Sequence, residues 1–523
     1  MILLNFRGGC GMTNEAILLE ANEKMSQTIQ LQAEQIQLLT EQVNYLTEKL
    51  FGKSKETMDP ALSGQLSLFG AQKIEEPVKE EIIKVGGHKR KKKKGRKQAI
   101  LDQLPTQEVH HRLEGDACHC PNCDHQLKEI GSHPVSQEVV FQPATLRKDV
   151  HIQHAYKCEH CSLINETDVI VKADTPKQPI GNSFGSASVV TETIHQKYEL
   201  KVPAYRQIED WKTLGLPITR TNITDWHIKV TDYYLNDFYH LLKDQLLTQD
   251  ILHCDETTYK VIESDTAKTY YWVAESSVHH NQPVVLYYHN QSRSGRVIKE
   301  FLNGYSGYIH CDMWGAYQQL QEVTLVGCFA HVRRKFYDAL PTNSTYTDYS
   351  AQAVAKIDKL FELEREWQPL SNNERFEKRQ EILKPKLEEF FEWIGTIDAL
   401  PKTALGKAIE YTLKFQRHFL TVLEDGRLEL SNNRAERAVK TLVMGRKNWL
   451  FSTSFDGANS TATILSILET AKANGLNSRQ YMQYLLEELP QLVTMKNPEL
   501  LEAYLPWHPN IQEKFKKNDK IPY

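Results

Sequence analysis

A repeated His-Cys-Asp triplet constrains the fold of this chain more than any other feature. It occurs at residues 253–255 and again at 310–312, each time at the end of an apolar, β-branched run that predicts a strand. Asp255 and Asp312 are therefore expected near the ends of two strands. Since ligands bind beyond the carboxyl ends of strands in α/β sheets, both aspartates should face one crevice.

A third carboxylate follows far downstream. Residues 431–437 (SNNRAER) begin a predicted helix, 432–446, which places Glu436 in its first turns. Two aspartates and a glutamate supply the oxygen ligands that Mg²⁺ and Mn²⁺ prefer, and two such ions about 4 Å apart can drive displacement at a phosphodiester. Either aspartate alone would suit a turn, and Asn433 and Glu436 have capping-box spacing. The duplicated triplet nevertheless favours a metal site.

Strand alternation predicts which face of the sheet each neighbour of the aspartates points to. His253 and His310 share the face of the aspartates, either as their partners or as core residues, and the second interpretation is favoured. Cys254 and Cys311 face the other way as small core residues. Glu256 is expected to point away from the site for the same reason.

The central region alternates strand-like and helix-like runs. The strand-like runs are 250–254, 269–274, 283–289, 308–311 and 324–328, and the helix-like runs are 294–302, 314–320 and 330–340. Three closely spaced strands predict an antiparallel meander, and strands separated by helices predict parallel additions, which together give a mixed sheet covered by helices. A helical insertion then precedes helix 432–446, a loop at Gly457 and helix 460–473.

The N-terminal third has a different composition. The net charge of −4 conceals a block, 84–97, with nine Lys or Arg and no acid. Such a block contacts nucleic acid or forms a solvated linker, and the two are compatible; Lys91, Lys92 and Lys93 lie at its centre. Heptad spacing over 12–51 predicts a coiled coil that self-associates, with one amphipathic helix packed on its own chain as the alternative.

Two C-x2-C pairs follow the basic block. Cys120 and Cys123 form one pair, and Cys158 and Cys161 form the other. Four thiolates in a tetrahedron are the closed geometry of structural zinc, so the pairs predict a zinc-binding module. Cys118 and neighbouring histidines are substitute ligands.

Two further regions are candidates for DNA contact. Residues 203–214 and 219–230 predict helices joined at Gly215, an outline that fits a DNA-reading helix-turn-helix and also a plain helical hairpin. Basic side chains near the predicted acids could hold phosphates. They are Arg333 and Arg334, for which a solvated basic helix is the alternative, and Arg437, Arg446 and Lys447.

With these motifs in this order, the chain resembles the IS66 family of insertion-sequence transposases over almost its whole length. The resemblance is carried by residues 202–206 (VPAYR), 253–257 (HCDET), 308–317, 328–336, 432–437 and 445–451 (GRKNWLF), with the zipper-like helix, basic linker and paired cysteines before them. It implies a ribonuclease-H-like catalytic fold and a DDE metal-binding triad of Asp255, Asp312 and Glu436. Many related enzymes carry a basic residue seven positions after the glutamate, where this chain has Val443.

At 523 residues the chain is too long for one core, and a multidomain α/β architecture is expected. The expected domains are a coiled coil (12–55), a basic linker (56–105), a zinc-binding domain (106–172), a helical DNA-binding region (180–245), a ribonuclease-H-like catalytic domain (246–475, with a helical insertion at 343–425) and a helical tail (476–523).

The expected function is transposition. Water would attack a phosphodiester at the element end, and the freed 3′-OH would then attack target DNA, with Mg²⁺ or Mn²⁺ at the triad and structural zinc in the paired cysteines. The expected partners are DNA, a second copy through the coiled coil and accessory proteins of the same element. Alternatives are a non-catalytic DNA-binding regulator derived from a transposase, and a nuclease that cuts without joining. No apolar run reaches the roughly 18 residues of a membrane span, so a cytoplasmic, nucleoid-associated location is expected.

Overall fold

The computed structural model describes residues 144–157, 170–342, 344–345 and 347–516, with the isolated residues Met25, Gln32, Gln126, Lys128 and His133. Apart from Met25 and Gln32, the predicted coiled coil lies outside the described residues, as do the basic block with Lys91, Lys92 and Lys93 and the predicted zinc ligands Cys120, Cys123, Cys158 and Cys161. Among the described helices, none is long and apolar enough to span a membrane.

A five-stranded mixed sheet forms the centre of the larger of two compact units. A separate two-stranded antiparallel pair, β1 and β2, precedes it. The strands are β1 Ala155–Lys157, β2 Ile170–Lys172, β3 Ile251–Tyr259, β4 Thr269–Ser276, β5 Val285–Asn290, β6 Tyr308–Cys311 and β7 Thr324–Gly327. The sheet order is β5-β4-β3-β6-β7, with an antiparallel β3-β4-β5 meander and parallel β6 and β7. The predicted meander and parallel additions are confirmed.

The register of β3 and β6 aligns the two triplets. His253 pairs with His310 across the parallel strands, so Asp255 and Asp312 follow at the same level. The expectation that Asp255 lies near a strand end is wrong, because β4 pairs with β3 as far as Tyr259 and keeps Asp255 in the middle of the strand. Asp312 directly follows β6, as predicted.

Helices supply most of the remaining structure of the two units. In chain order they are α1 Ala187–Ile194, α2 Ala204–Thr213, α3 Arg220–Val230, α4 Asn236–Leu247, α5 Gly295–Phe301, α6 Phe329–Asp338, α7 Tyr349–Glu366, α8 Asn372–Lys378, α9 Lys384–Gly395, α10 Ala404–Lys414, α11 Gln416–Leu420, α12 Asn433–Trp449, α13 Phe455–Ala473, α14 Ser478–Glu488, α15 Pro498–Glu502 and α16 Pro509–Phe515.

The predicted pair of helices before the sheet is confirmed as α2 and α3. Gly215 adopts φ +91° after α2, a left-handed conformation that glycine reaches without a Cβ clash. Thr219 then caps the start of α3 with a capping box. Its hydroxyl accepts a hydrogen bond from the Asn222 backbone N–H, and the Asn222 side-chain oxygen accepts one from the Thr219 backbone N–H. Local sequence thus sets the boundaries of both helices.

Two local predictions are wrong. Residues 314–320 form only a 3₁₀ turn, Tyr317–Gln319, because Met313 takes a left-handed φ of 64° and turns the chain sharply after Asp312. Gly457 is not in a loop; it lies in the first turn of α13, where its N–H donates to the Ser454 hydroxyl that caps the helix.

The edge strand β5 is protected by α13. Ser466 and Thr470 of α13 accept hydrogen bonds from the backbone N–H groups of Tyr287 and Val285 at 2.8 and 3.0 Å. These side chains replace a neighbouring strand, so the edge does not present free donors there.

The other compact unit includes His331–Glu362 and Lys386–Lys414, and the part of it that falls in the predicted insertion, 343–425, is helical as expected. Phe336 of α6 and Phe390 of α9 pack edge to face at 6.3 Å inside it. Arg333 and Asp358 form a two-point ion pair at 2.6 and 3.0 Å.

Candidate active site

Asp255, Asp312 and Glu436 are brought together on one side of the sheet. Asp255 lies in the middle of β3, Asp312 follows the adjacent β6, and Glu436 lies in the first turn of α12, which packs on β3 and β4. Burial raises the pKa of Asp255 well above its usual range, the charge of Glu256 adds to this, and the charges of Asp312 and Glu436 raise the pKa further. The backbone N–H of Glu256, which donates to Asp255 at 2.9 Å, opposes the rise only partly.

The residue types of this cluster suit a divalent cation. Half-buried carboxylates that repel one another are destabilising unless a positive charge lies between them. Carboxylate oxygens are the ligands of Mg²⁺ and Mn²⁺, which keep several waters and bind phosphate oxygens. Asp255, Asp312 and Glu436 are therefore the residues that could hold such an ion.

The side chain of Asn432 makes no capping hydrogen bond at the start of α12, the helix that carries Glu436. Asn432 occupies the cap position but uses its side chain elsewhere. Its amide donates to the Cys254 carbonyl at 2.7 Å, and its carbonyl lies 3.1 Å from Nδ1 of His253. Asn432 thus ties the start of the helix that carries Glu436 to the strand that carries Asp255.

The two histidines of the repeated triplet form a buried stack. The rings of His253 and His310 lie 4.2 Å apart and within 5° of parallel, and neither is exposed. Burial lowers the pKa of both rings, which keeps them neutral. The Glu429 N–H donates to Nε2 of His310 at 3.4 Å, so the stack also contacts the segment before α12. The prediction that His253 and His310 are core residues is confirmed. They also contact Asn432 and Glu429, at and just before the start of α12.

A fourth carboxylate, Glu256, was not among the predicted site residues. It points to the other face, as alternation predicts, and is buried there by Tyr317, whose hydroxyl donates at 2.6 Å, and by Arg293, whose Nε donates at 2.8 Å. The Arg293 guanidinium lies 3.9 Å from the ring centroid of the exposed Trp314. An acid directly after Asp255 was the only sequence signal for this cluster.

The predicted basic residues have different environments. Arg446 is half-buried and donates to the Thr258 carbonyl and, at 3.3 Å, to the Thr257 hydroxyl, so it joins α12 to β3. Arg437 and Lys447 of the same helix are exposed, as is Arg334. Arg333 is engaged by Asp358.

Four sequence-family profiles match the chain. The profile described as "Transposase IS66 family" covers residues 182–460, which include the three acids. Those described as "zinc-finger binding domain of transposase IS66", "Transposase C of IS166 homeodomain" and "IS66 C-terminal element" cover 117–162, 38–109 and 466–507.

Three proteins of Sinorhizobium fredii (strain NBRC 101917 / NGR234) are similar to the chain. The uncharacterized protein y4hP is 26% identical over 73% of this chain and 71% of its own length. The uncharacterized protein y4jD is 26% identical over 77% and 80%, and y4qI, also uncharacterized, is 27% identical over 65% and 66%.

Proposed function

Because the chain belongs to the IS66 family of transposases, a DDE-type group, we propose that it cuts DNA at the ends of an insertion sequence and joins those ends to target DNA. Asp255, Asp312 and Glu436 are the proposed catalytic triad. The observation that carries this assignment is the register of β3 and β6, which sets both aspartates at one level beside the first turn of α12.

The fold supports the same assignment. The five-stranded order β5-β4-β3-β6-β7, with an antiparallel meander followed by two parallel strands, is the arrangement expected of a ribonuclease-H-like catalytic core, and helices are inserted before the third acid. The insertion separates β7 from α12 in sequence, while α12 still packs on β3 and β4. Glu436 can therefore reach the aspartates although the chain leaves the sheet before it.

Each group of the site has a defined task in this proposal. The three carboxylates bind the divalent ions, which when bound activate the attacking oxygen and stabilise the leaving one. Asn432 and the His253–His310 stack hold the carboxylate-bearing elements in place. The exposed Arg437 and Lys447, on the helix of Glu436, would hold DNA phosphates.

The N-terminal third would supply binding rather than chemistry. We assign structural zinc to Cys120, Cys123, Cys158 and Cys161, within the matched zinc-finger segment. Lys91, Lys92 and Lys93 would contact the DNA backbone, and residues 12–55 would pair two copies. Accessory proteins of the same element are further proposed partners.

The test is a cleavage and strand-transfer assay on labelled element-end DNA, in Mg²⁺ and in EDTA. The full chain is compared with Asp312→Asn, Glu436→Gln and a matched control, Asp265→Asn, an exposed aspartate in the β3–β4 turn. We expect metal-dependent joining that both site variants slow at least about a thousandfold, a loss of several kcal/mol of barrier stabilisation, while DNA binding is retained.

Other outcomes identify the alternatives. Cleavage without joined products would indicate a nuclease. Binding without cleavage, even with the accessory proteins of the element added, would indicate a non-catalytic regulator. Normal cleavage by Asp312→Asn would show that the triad is assigned wrongly.

A further inference from the structure

An open cleft lies at the β5 edge of the sheet, and none of the three acids lines it. Its volume is about 1170 Å³, and it is bordered by β5, the start of α13 and the turn between β3 and β4. This volume slightly exceeds the roughly 300–1,000 Å³ of small-molecule pockets. All of its lining residues are in the described part of the chain and within one compact unit.

The lining combines positive charge with aromatic rings. Lys268, Arg293 and Arg296 are the lining cations, of which Arg293 is paired with the buried Glu256, and none of the lining residues is Asp or Glu. Tyr270, Tyr288 and Phe455 are among the aromatic residues. Glu300 lies 3.7 Å from Arg296, but both side chains are exposed, so this ion pair neutralises the cleft only weakly. Such a lining attracts a polyanion that has flat apolar faces.

Arg293 contacts residues next to the two aspartates. It lines the cleft, donates to Glu256 at 2.8 Å, and stacks on Trp314 at 3.9 Å. Glu256 follows Asp255 in β3, and the Trp314 N–H donates to Asp312 at 2.8 Å. The cleft therefore shares Arg293 with the cluster of Glu256 and Trp314, the residues that neighbour the two aspartates.

We propose that this cleft binds a single strand of DNA. In a duplex the bases show only their edges, whereas an unpaired strand exposes base faces that stack on aromatic side chains. Cations along a groove and rings within it are the combination that single-strand binders use. The inference deepens the proposed function and rests on it only in taking DNA as the substrate.

Matched pairs of variants separate the cleft from general charge. Lys268→Ala with Arg296→Ala removes two cleft cations, one in the β3–β4 turn and one on α5. Lys260→Ala with Lys299→Ala removes two exposed cations beside the same turn and on the same helix, and neither lines the cleft. Tyr270→Ser removes a ring, and Tyr270→Phe keeps it.

The experiment uses the full chain in EDTA, so it does not depend on catalysis. A 5-iododeoxyuridine oligonucleotide of about six nucleotides, within the roughly 4–16 that one compact site covers, is photo-cross-linked and mapped by peptide mass spectrometry. Its affinity is measured against salt. We expect cross-links to cleft tyrosines, about tenfold weaker binding in the cleft pair, and a salt slope smaller by about 1.4, from about 0.7 per lost contact.

The control pair should bind within twofold of wild type. Tyr270→Ser should lose at least about fivefold in affinity, with Tyr270→Phe restoring it, and a duplex should compete poorly for the cross-link. Three results would overturn the inference. They are an equal loss of affinity in the cleft pair and the control pair, cross-links only outside the cleft, and equal competition by duplex. Because no cleavage is measured, these results are independent of whether the triad is active.

Discussion

The rings of His253 and His310 lie parallel at 4.2 Å, each two residues before a proposed catalytic aspartate. The repeated triplet thus has a structural meaning, since the same residue on two paired parallel strands places like rings in contact. The stack packs β3 against β6 next to the strand positions that carry the carboxylates.

Replacing His310 with alanine should slow strand transfer about 10- to 100-fold, the usual range for a residue that supports metal ligands. The loss should appear as a higher Mg²⁺ requirement, because the aspartates are no longer held at one spacing. His310→Phe should recover much of the activity, since it preserves the planar contact. A Mg²⁺ titration of the cleavage rate measures both, and an unchanged titration in His310→Ala would contradict a positioning role.

Removing the Asn432 side chain should also weaken metal use. Asn432→Ala loses the bonds to His253 and to the Cys254 carbonyl, at 3.1 and 2.7 Å, and so frees the start of α12 from β3. We expect a 10- to 100-fold rise in the Mg²⁺ concentration for half-maximal cleavage, with unchanged DNA affinity. The neighbouring substitution Asn433→Ala serves as the control, and the prediction fails if both variants behave alike.

The order of strands was predictable from the sequence because their hydrophobic patterns are local. The role of Asn432 was not predictable, because its residue type and position indicate a helix cap. Its side chain instead makes tertiary contacts with His253 and Cys254, which are remote in sequence. The length of β3 depends on pairing with β4, and the sharp turn at Met313 depends on a positive φ. Glu256 was placed on the correct face, but its partners Arg293 and Tyr317 are remote in sequence.

Zinc removal should affect DNA binding without changing the carboxylate site. The purified chain is expected to hold one zinc ion, and Cys158→Ser should release it, because a structural zinc site needs four ligands and the serine supplies no thiolate. Cys118→Ser tests the substitute ligand and should keep the metal. Metal analysis and element-end binding measure the outcome; zinc lost from Cys118→Ser but kept by Cys158→Ser would reassign the ligand set.

Glu199 should make the stability of the chain depend on pH. Burial alone would raise its pKa, but the side chains of His195 and Ser478 bond it, and with the Lys472 charge they lower the pKa from 4.5 to about 2. His195 Nδ1 and the Ser478 hydroxyl lie at 2.6 Å and Lys472 at 3.0 Å, which joins the segment after α1 to α13 and α14. The folded state therefore favours the charged carboxylate, which is stabilising above the unfolded pKa.

Glu199→Gln should cost about 3 kcal/mol of unfolding free energy above about pH 4.5, and the difference from wild type should vanish as the pH falls towards 2. Denaturant unfolding across this range measures it, with the exposed Glu209→Gln as the control; a difference that does not change with pH would show that Glu199 stabilises the fold by packing alone.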